Sequence, residues 1–329
     1  MTADIQPLQN LNTSPTKLRP IKLPQDLREI ADLVELCFAA TLDTDGRRFI
    51  RQMRQAGSYR NRYIGFSSFP PAIKGFVWVE EGRIVGNINL IPVLAESHKS
   101  YLIANVSVHP DYRRQRIAHT LTKASLKFAR ERRIRCLWLQ VDEANHEAQQ
   151  LYQDFGFTER ARRTVWHSQP NPIKISVPPS VEVKPRRRAD WKSQKEWLEK
   201  LYDKTVRWNL PLQAQNFSPM LSGALLRSLN EQKFRQWSAF HHGQWIGSLT
   251  WQTSYSQADW LWLAAPPQKR ELALCALIPH AQQDLHRRGL LRQSRTLAVN
   301  FPAGECADAF QTIGFQAHQT LIWMKKDFD

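Results

Sequence analysis

The stretch Val106-Ser-Val-His-Pro-Asp-Tyr-Arg-Arg-Gln-Arg-Ile-Ala118 decides the fold, because it joins a strand to a helix through a basic turn. Its alternating apolar start is typical of a strand, and the apolar spacing from Ile117 onward predicts a helix. Backbone N–H groups at a helix start lack intrahelical partners, and together with the helix dipole they suit an anion such as a pyrophosphate. Arg113, Arg114 and Arg116 add positive charge there. A solvated basic helix start is the alternative interpretation.

The chain contains this arrangement twice. Residues 79–86 are similar to 240–247, 139–141 to 297–299, and 152–157 to 310–315. The three matches occur in one order at a nearly constant separation of about 160 residues. An ordered set at one separation indicates two diverged copies of one fold.

Each copy has the element order of an α/β fold. In the first copy, strand-like runs lie at 17–23, 75–93, 101–108 and 136–141, and a last strand reaches Trp166. The run at 75–93 predicts a hairpin that turns at Glu81-Gly82, and helical spacing occurs at 30–38, from Ile117 and through Tyr152. The order β-α-β-β-β-α-β-α-β predicts a mixed β-sheet flanked by helices. The pattern at 181–184 predicts a strand at the start of the second copy. This strand could belong to the sheet of the second copy or cross to that of the first.

Composition sets the domain boundaries. Residues 1–16 are polar and predict a disordered tail. We expect the first domain at 17–167, a proline-rich linker at 168–180 and the second domain at 181–329.

The overall composition excludes several classes of protein. The chain has 329 residues, of which 42% are hydrophobic and 23% charged, as in globular proteins of two domains. No apolar run reaches the length of a membrane span, and the four dispersed cysteines have no metal-ligand spacing. We therefore expect a cytoplasmic protein without a metal site. The net charge of +16 would attract nucleic acid, acidic lipid headgroups or anionic small molecules, and it names none of them.

The basic turn resembles the acetyl-CoA loop of the GNAT superfamily of N-acetyltransferases. The family's V-x-P, its first loop Arg and its last loop Gly or Ala are matched by Val108-His-Pro110, Arg113 and Ala118. A second family pattern, N-x-x-A-x-x-L-Y-x-x-x-G-F, is matched by Asn145, Ala148, Leu151-Tyr152 and Gly156-Phe157. Arg116 replaces the family's central glycine. An outward side chain would keep the loop usable and an inward one would block it, and the retained Arg113 and Ala118 favour the first.

The resemblance implies the GNAT fold in both copies and an acetyl-CoA-dependent transfer of acetyl to a primary amine. The acceptor is a small molecule, a protein N-terminus or a lysine, and nucleic acid is not favoured as the partner. Tyr152 would protonate the leaving thiolate, for which its ordinary pKa near 10 is suitable. The cofactor-binding residues implied by the resemblance are Val106, Val108, Arg113, Arg114, Gln115, Arg116, Ile117, Ala118 and Asn145.

The strand before the loop, Tyr-Leu-Ile-Ala-Asn-Val-Ser-Val, has no acid where family members often place a glutamate. Asn105 could hold a water that takes the proton, and we assign no general base.

The second copy has lost the chemical residues. Glu271 brings negative charge to its loop, Phe310 stands where Tyr152 does, and Ala303 stands where Asn145 does. We therefore expect it not to catalyse acetyl transfer. The alternative for the whole chain is a non-catalytic CoA-binding or nucleic-acid-binding module.

Overall fold

The computed structural model describes residues 17–57, 73–169, 177–219, 232–291 and 295–328. The predicted tail and most of the predicted linker lie outside these residues. Contacts divide the chain into two compact units. The first comprises the residues up to Ile91 together with Ile103–Arg132, and the second comprises Pro92–Leu102 and Arg133–Asp329.

The first unit holds three helices and four strands among its described residues. They are β1 (Leu18–Pro20), α1 (Leu27–Phe38), α2 (Thr44–Ala56), β2 (Lys74–Glu80), β3 (Arg83–Ala95), β4 (His98–Val108) and α3 (Ile117–Glu131). The strand order is β1-β2-β3-β4, and the tip of the β3–β4 hairpin, Pro92–Leu102, belongs to the second unit. The predicted hairpin with its turn at Glu81-Gly82 is confirmed.

Helices cover both faces of this small sheet. On one face, the apolar side of α1 and two residues of α2 pack with Val77 of β2 in a single core cluster. On the other face, α3 lies against β2 and β3, where the rings of Phe128 and Phe76 meet at 5.8 Å between their centroids. Gly86 of β3 lets α3 approach closely, because a Cβ at this position would stand 2.7 Å from Cγ2 of Ile117.

The described part of the second unit holds the remaining elements. They are β5 (Cys136–Asp142), α4 (His146–Asp154), β6 (Thr158–Ser168), β7 (Val181–Pro185), α5 (Trp191–Leu201), α6 (Lys204–Arg207), β8 (Phe234–His241), β9 (Gln244–Gln252), β10 (Ala258–Ala264), α7 (Arg270–Arg287), β11 (Thr296–Pro302), α8 (Ala307–Thr312) and β12 (Phe315–Asp327). The strand order is β5-β12-β6-β11-β10-β9-β8-β7.

The last strands of the two sequence copies change places in this sheet. Strand β12 pairs antiparallel with both β5 and β6, although it comes from the second copy. Strand β6, from the first copy, pairs antiparallel with β11 of the second. The compact units therefore follow boundaries other than those of the sequence copies. The strand predicted at 181–184 is β7, which pairs with β8.

Within the described residues, no helix is both long enough and apolar enough to cross a membrane.

Candidate active site

Strand β4 carries a local distortion just before the two valines that the sequence analysis selects. Asn105 has a left-handed backbone with φ of 51°, which an L residue rarely adopts inside a strand. Its carbonyl oxygen accepts a hydrogen bond of 2.8 Å from Nδ2 of Asn87 on β3. Val106 and Val108 follow the distortion and are half-buried. A left-handed residue interrupts the regular pleat of a strand, and irregularities of this kind are often found next to active sites.

The loop between β4 and α3 alternates between backbone conformations of opposite hand. Arg113 is extended, with φ of −66° and ψ of 163°. Arg114 and Arg116 are left-handed, with φ of 64° and 60°. The first hydrogen bond of the α3 ladder runs from the amide of Thr120 to the carbonyl oxygen of Arg116, at 3.0 Å. The amides before Thr120 therefore precede the ladder, and concave loops of this kind bind anions.

Arg116 shows why the family places glycine at its position. The left-handed conformation costs an L residue about 1 kcal/mol, and glycine adopts it freely. Arg116 is nevertheless solvent-exposed, as are Arg113, Arg114 and Gln115. The four residues add three cations to a helix start that has no acid in its first turn.

The first two residues of α3, unlike the exposed loop before them, are at least partly buried in the fold. Ile117 is buried against β3 beside Gly86, so its backbone alone can face a ligand. Ala118 is half-buried, and its carbonyl oxygen accepts a 2.8 Å hydrogen bond from Oγ1 of Thr122. The position of the loop is therefore coupled to the packing of α3 on the sheet.

The carbonyl oxygen of Val108 has two side-chain neighbours, of which sequence reasoning missed one, Cys37. Sγ of Cys37 on α1 lies 3.3 Å from it, and Nε of Arg113 lies 3.4 Å from it. Burial raises the pKa of the Cys37 thiol, while the nearby Arg113 acts in the opposite direction. Cys37 therefore stays a neutral thiol at physiological pH.

Asn145 and Tyr152 lie together in the second unit, at the start and on the body of α4. The side chain of Asn145 caps the helix, because its Oδ1 accepts a 3.1 Å hydrogen bond from the amide of Ala148. Tyr152 is buried, with its ring 5.8 Å from that of Phe157. Burial raises the pKa of the Tyr152 phenol, so the residue keeps its proton throughout the physiological range.

The corresponding loop of the second copy has a different shape. Helix α7 begins at Arg270, so the helix starts where the first copy still has loop, and residues 266–273 include no left-handed backbone. Nη1 of Arg270 forms an ion pair of 2.6 Å with the carboxylate of Glu305. Burial raises the pKa of the Cys306 thiol to about 11, and the charges of Glu271 and Glu305 contribute. Glu271 and Glu305 thus offset the charges of Lys269 and Arg270, so this loop lacks the surplus of cations in the loop of the first copy.

A family model described as the Acetyltransferase (GNAT) family matches residues 32–157. This range contains the distorted strand, the basic loop and the helix with Tyr152.

Residues 32–157 of this chain belong to the GNAT acetyltransferase family.

The solved structures extend the GNAT fold over the chain. A GCN5-related N-acetyltransferase from Sphaerobacter thermophilus has a TM-score of 0.60 at 14% identity, over 96% of this chain and 97% of its own. A tandem GNAT protein from the clavulanic acid biosynthesis pathway has a TM-score of 0.51 at 15% identity, over 94% of this chain and 98% of its own. At these identities the likeness shows the fold alone.

One curated relative shares sequence with part of the chain. It is named "Putative ribosomal protein bS18-alanine N-acetyltransferase", comes from Bacillus subtilis (strain 168), and is 31% identical over 77 residues. The match covers 23% of this chain, and the chain spans about half the length of that relative, 48%.

The predicted site residues fall into two groups, each brought together by its own unit. Val106, Val108 and the loop 113–118 are contiguous in the first unit, and Asn145 and Tyr152 lie two helical turns apart in the second. Sequence reasoning missed Cys37 and Asn87. The strand 83–90 reads Arg-Ile-Val-Gly-Asn-Ile-Asn-Leu, in which two alternating polar residues would ordinarily indicate a solvent face.

Proposed function

We propose that this protein is an acetyl-CoA-dependent N-acetyltransferase that transfers acetyl directly to a primary amine, using the first GNAT copy. The observation that carries the proposal is the loop 113–116, in which left-handed Arg114 and Arg116 lead into a helix start without acids. Such a loop has the positive charge and the helix-start amides that suit a pyrophosphate. The proposal places the protein in the cytoplasm.

The proposed binding roles combine this geometry with the resemblance to the GNAT family. The pyrophosphate would be held by the loop residues and by the backbone at the start of α3. These are Arg113, Arg114, Gln115 and Arg116, and the backbone of Ile117 and Ala118. The backbone of Val106 and Val108 would pair with the pantetheine arm beyond the distortion at Asn105. Asn145 would contact the arm through its Nδ2, because its Oδ1 is already engaged in capping α4.

Tyr152 would donate a proton to the departing sulfur. The neutral amine attacks the thioester carbonyl carbon, the C–N bond forms and the C–S bond breaks. The nitrogen then loses one proton to water, and the thiolate receives one proton from Tyr152. A phenol with a raised pKa is fully protonated before the step, which a proton donor requires. A donor in this role accelerates transfer by roughly 10²–10⁴-fold.

The cofactor site is tested by calorimetry with acetyl-CoA. We expect saturable binding that Arg113→Glu weakens strongly, because the variant places a carboxylate beside the phosphates. Lys269→Glu is the matched control, since it makes the same charge change in the exposed loop of the second copy. Binding that Arg113→Glu leaves unchanged, or that Lys269→Glu weakens equally, contradicts the site assignment.

The proton donor is tested with Tyr152→Phe, a change that the second copy already carries as the buried Phe310. We expect kcat to fall by about 10²-fold or more while acetyl-CoA binding is retained. An unchanged kcat would remove Tyr152 from the mechanism.

The bS18-alanine acetyltransferase named above motivates an acceptor class, the α-amine of a polypeptide. A screen of peptide α-amines, lysine side chains and small amines with a thiol-release assay tests that class. The alternative function, a non-catalytic CoA-binding or nucleic-acid-binding module, is motivated by the net charge of +16. It predicts tight RNA or DNA binding with a steep salt dependence, and no acetyl-CoA turnover with any amine.

A further inference from the structure

Two asparagines of β3 have side-chain oxygens that are buried without a hydrogen-bond partner. Asn87 is 0% exposed and Asn89 is 3% exposed. They are two residues apart on one strand, so they lie on the same face of the sheet. Nδ2 of Asn87 donates to the carbonyl oxygen of Asn105, which fixes the orientation of the amide and turns Oδ1 away. Neither Oδ1 atom has a donor within the part of the chain that the structure describes.

An unpartnered buried carbonyl oxygen destabilises a folded protein, and native structures therefore pair such atoms with protein, water or ligand. The buried residues of α1, which share a core cluster with this side of the sheet, are apolar: Leu27, Ile30, Ala31, Leu33 and Val34. They offer no side-chain donor. We therefore infer, from the described residues alone, that a ligand carrying its own N–H or O–H groups satisfies the two oxygens.

The second copy has an internal hydrogen-bond partner at one of the two equivalent positions. The sequence repeat aligns Gly86 with Gly247, so Ser248 is the equivalent of Asn87 and Thr250 is the equivalent of Asn89. There Gln194 of α5, itself fully buried, extends Nε2 to Oγ1 of Thr250 at 3.3 Å. The copy that we propose to be inactive thus partners the position of Asn89 with its own side chain, whereas Oγ of Ser248, at the position of Asn87, has no partner among the described residues.

The asparagines adjoin the segment of β4 that we propose to hold the thioester end of the cofactor. Asn87 is bonded to the left-handed Asn105, and Val106 follows immediately. Oγ of Ser107, also buried, lies 3.4 Å from the same carbonyl oxygen. An attacking nitrogen must come within about 3–3.5 Å of the thioester carbon, so acceptor groups beside Val106 are suitably placed to hold it.

The buried charges of this unit point to the protonation state of the ligand. Among the described residues of the first unit, the buried acid is Asp26, which is engaged with Arg19 at 2.6 and 3.0 Å. The buried oxygens that the proposed site offers are therefore the neutral amide oxygens of Asn87 and Asn89, and not those of a carboxylate. Neutral oxygens in a buried place accept hydrogen bonds from an amine, and they compensate poorly for the desolvation of an ammonium ion.

We propose that Asn87 and Asn89 bind the nitrogen of the acceptor amine, and that they select its neutral form, so that transfer proceeds without a general base on the protein. The proposal rests on the proposed acetyltransferase function. The nitrogen arrives with its lone pair free and two protons, both of which the asparagine oxygens can accept as hydrogen bonds. After attack, the nitrogen loses one proton to solvent and Tyr152 gives one to the sulfur. The Tyr152 phenolate then takes a proton back from solvent, so the reaction is balanced without another reactant.

This mode of binding selects for amines of low pKa. At pH 7, roughly one in seven α-amines of pKa near 7.8 is neutral, against roughly one in 2,500 lysine amines of pKa 10.4. We expect kcat/KM to rise about tenfold per pH unit until the pKa of the free amine is reached. The substrate class is therefore a weakly basic primary amine such as a peptide α-amine, and the preference over lysine should shrink as the pH rises.

The test replaces Asn89 by a pair of residues that differ in one oxygen. Asn89→Thr keeps an acceptor and copies Thr250 of the second copy, and Asn89→Val has the same shape without it. Ser248→Ala is the control, because it removes a buried, unpartnered hydroxyl from the second copy. The substrates are the dipeptide Ala-Ala amide and Nα-acetyl-lysine amide.

We expect Asn89→Val to be at least as stable as Asn89→Thr, to bind acetyl-CoA equally well, and to have a kcat/KM for the dipeptide about five- to tenfold lower. Ser248→Ala should match the wild-type protein. Equal kcat/KM in the two Asn89 variants, or a wild-type preference for the lysine amide at pH 7, overturns the inference. Wild-type protein that does not bind acetyl-CoA refutes the proposed function instead, so the two failures are distinguishable.

Discussion

Replacement of Gly86 by alanine should weaken acetyl-CoA binding, although residue 86 would not touch the ligand. A Cβ at this position stands 2.7 Å from Cγ2 of Ile117 and 3.2 Å from Cδ1 of Leu121. Because apolar carbons pack at about 3.5–4.0 Å, Ile117 must recede by about 1 Å. Ile117 is the first residue of α3, so the amides that precede the helical ladder move with it.

The magnitude can be worked from the crowding. Inserting a methyl group into a packed contact costs about 1–3 kcal/mol, of which the lower chain entropy of alanine in the unfolded state recovers about 0.4–1 kcal/mol. We therefore expect the free energy of unfolding to fall by about 0.5–2 kcal/mol. A displacement of about 1 Å also lengthens the hydrogen bonds to the pyrophosphate, and we expect the Kd for acetyl-CoA to rise about tenfold, which corresponds to about 1.4 kcal/mol.

The second copy offers a matched control. Gly247 occupies the equivalent position, and a Cβ there would meet the carbonyl oxygen of Ala264 at 3.0 Å and Cβ of Ala273 at 3.1 Å. Gly247→Ala should lower stability while leaving the Kd unchanged. Calorimetry gives the Kd, and urea denaturation gives the stability. The reasoning is refuted if Gly86→Ala lowers stability without changing the Kd, or if both variants change the Kd alike.

Three further outcomes follow from the structure. Asn145→Ala should lower the free energy of unfolding by about 0.5–2 kcal/mol through loss of the α4 cap, and Asn145→Asp should restore it; urea denaturation in which Asn145→Ala matches the wild type would contradict the cap. Acetyl-CoA should bind with a stoichiometry of one per chain, because Glu271 and Glu305 offset the cations of the second loop and that loop has no left-handed residues. Two equivalent sites in calorimetry would contradict this. Burial acts to raise the pKa of Asp284, but Arg288 and Arg235 lower it below its usual value. The stability that ionised Asp284 provides should therefore be present at neutral pH and lost as the pH falls below about 4, so that the difference between wild type and Asp284→Asn in thermal unfolding narrows there; a difference independent of pH would argue against the ion pairs.

Local patterns predicted the elements that are strongly amphipathic. The spacing of Ile30, Leu33 and Val34 indicated α1, and all three are buried. Helix α2 was not predicted, because only Ile50 and Met53 of its residues are buried and four arginines interrupt the apolar pattern. Its N-cap was nevertheless visible, since Asp43 accepts a 2.7 Å hydrogen bond from the amide of Gly46.

The exchange of β6 and β12 could not be predicted from local pattern. Both strands have the same kind of alternation between polar and apolar residues. Nothing in the sequence of 158–168 or 315–327 indicates which distant strand will be the neighbour. That choice depends on contacts between residues separated by more than 150 positions, such as Thr164 and Thr320, whose hydroxyl oxygens lie 2.9 Å apart. The left-handed backbone at Asn105 and the burial of Asn87 likewise depend on neighbouring strands.

The exchanged strands also govern the order in which the chain can fold during synthesis. Strand β5 is complete once residue 142 has been made, but its neighbour β12 begins only at Phe315. During the interval between them, which is most of the second half of translation, β5 and β6 each expose an edge of unpaired backbone groups to any other strand. The nascent chain therefore depends on a late strand to close an early sheet, and a fragment that stops at residue 167 would keep these edges open.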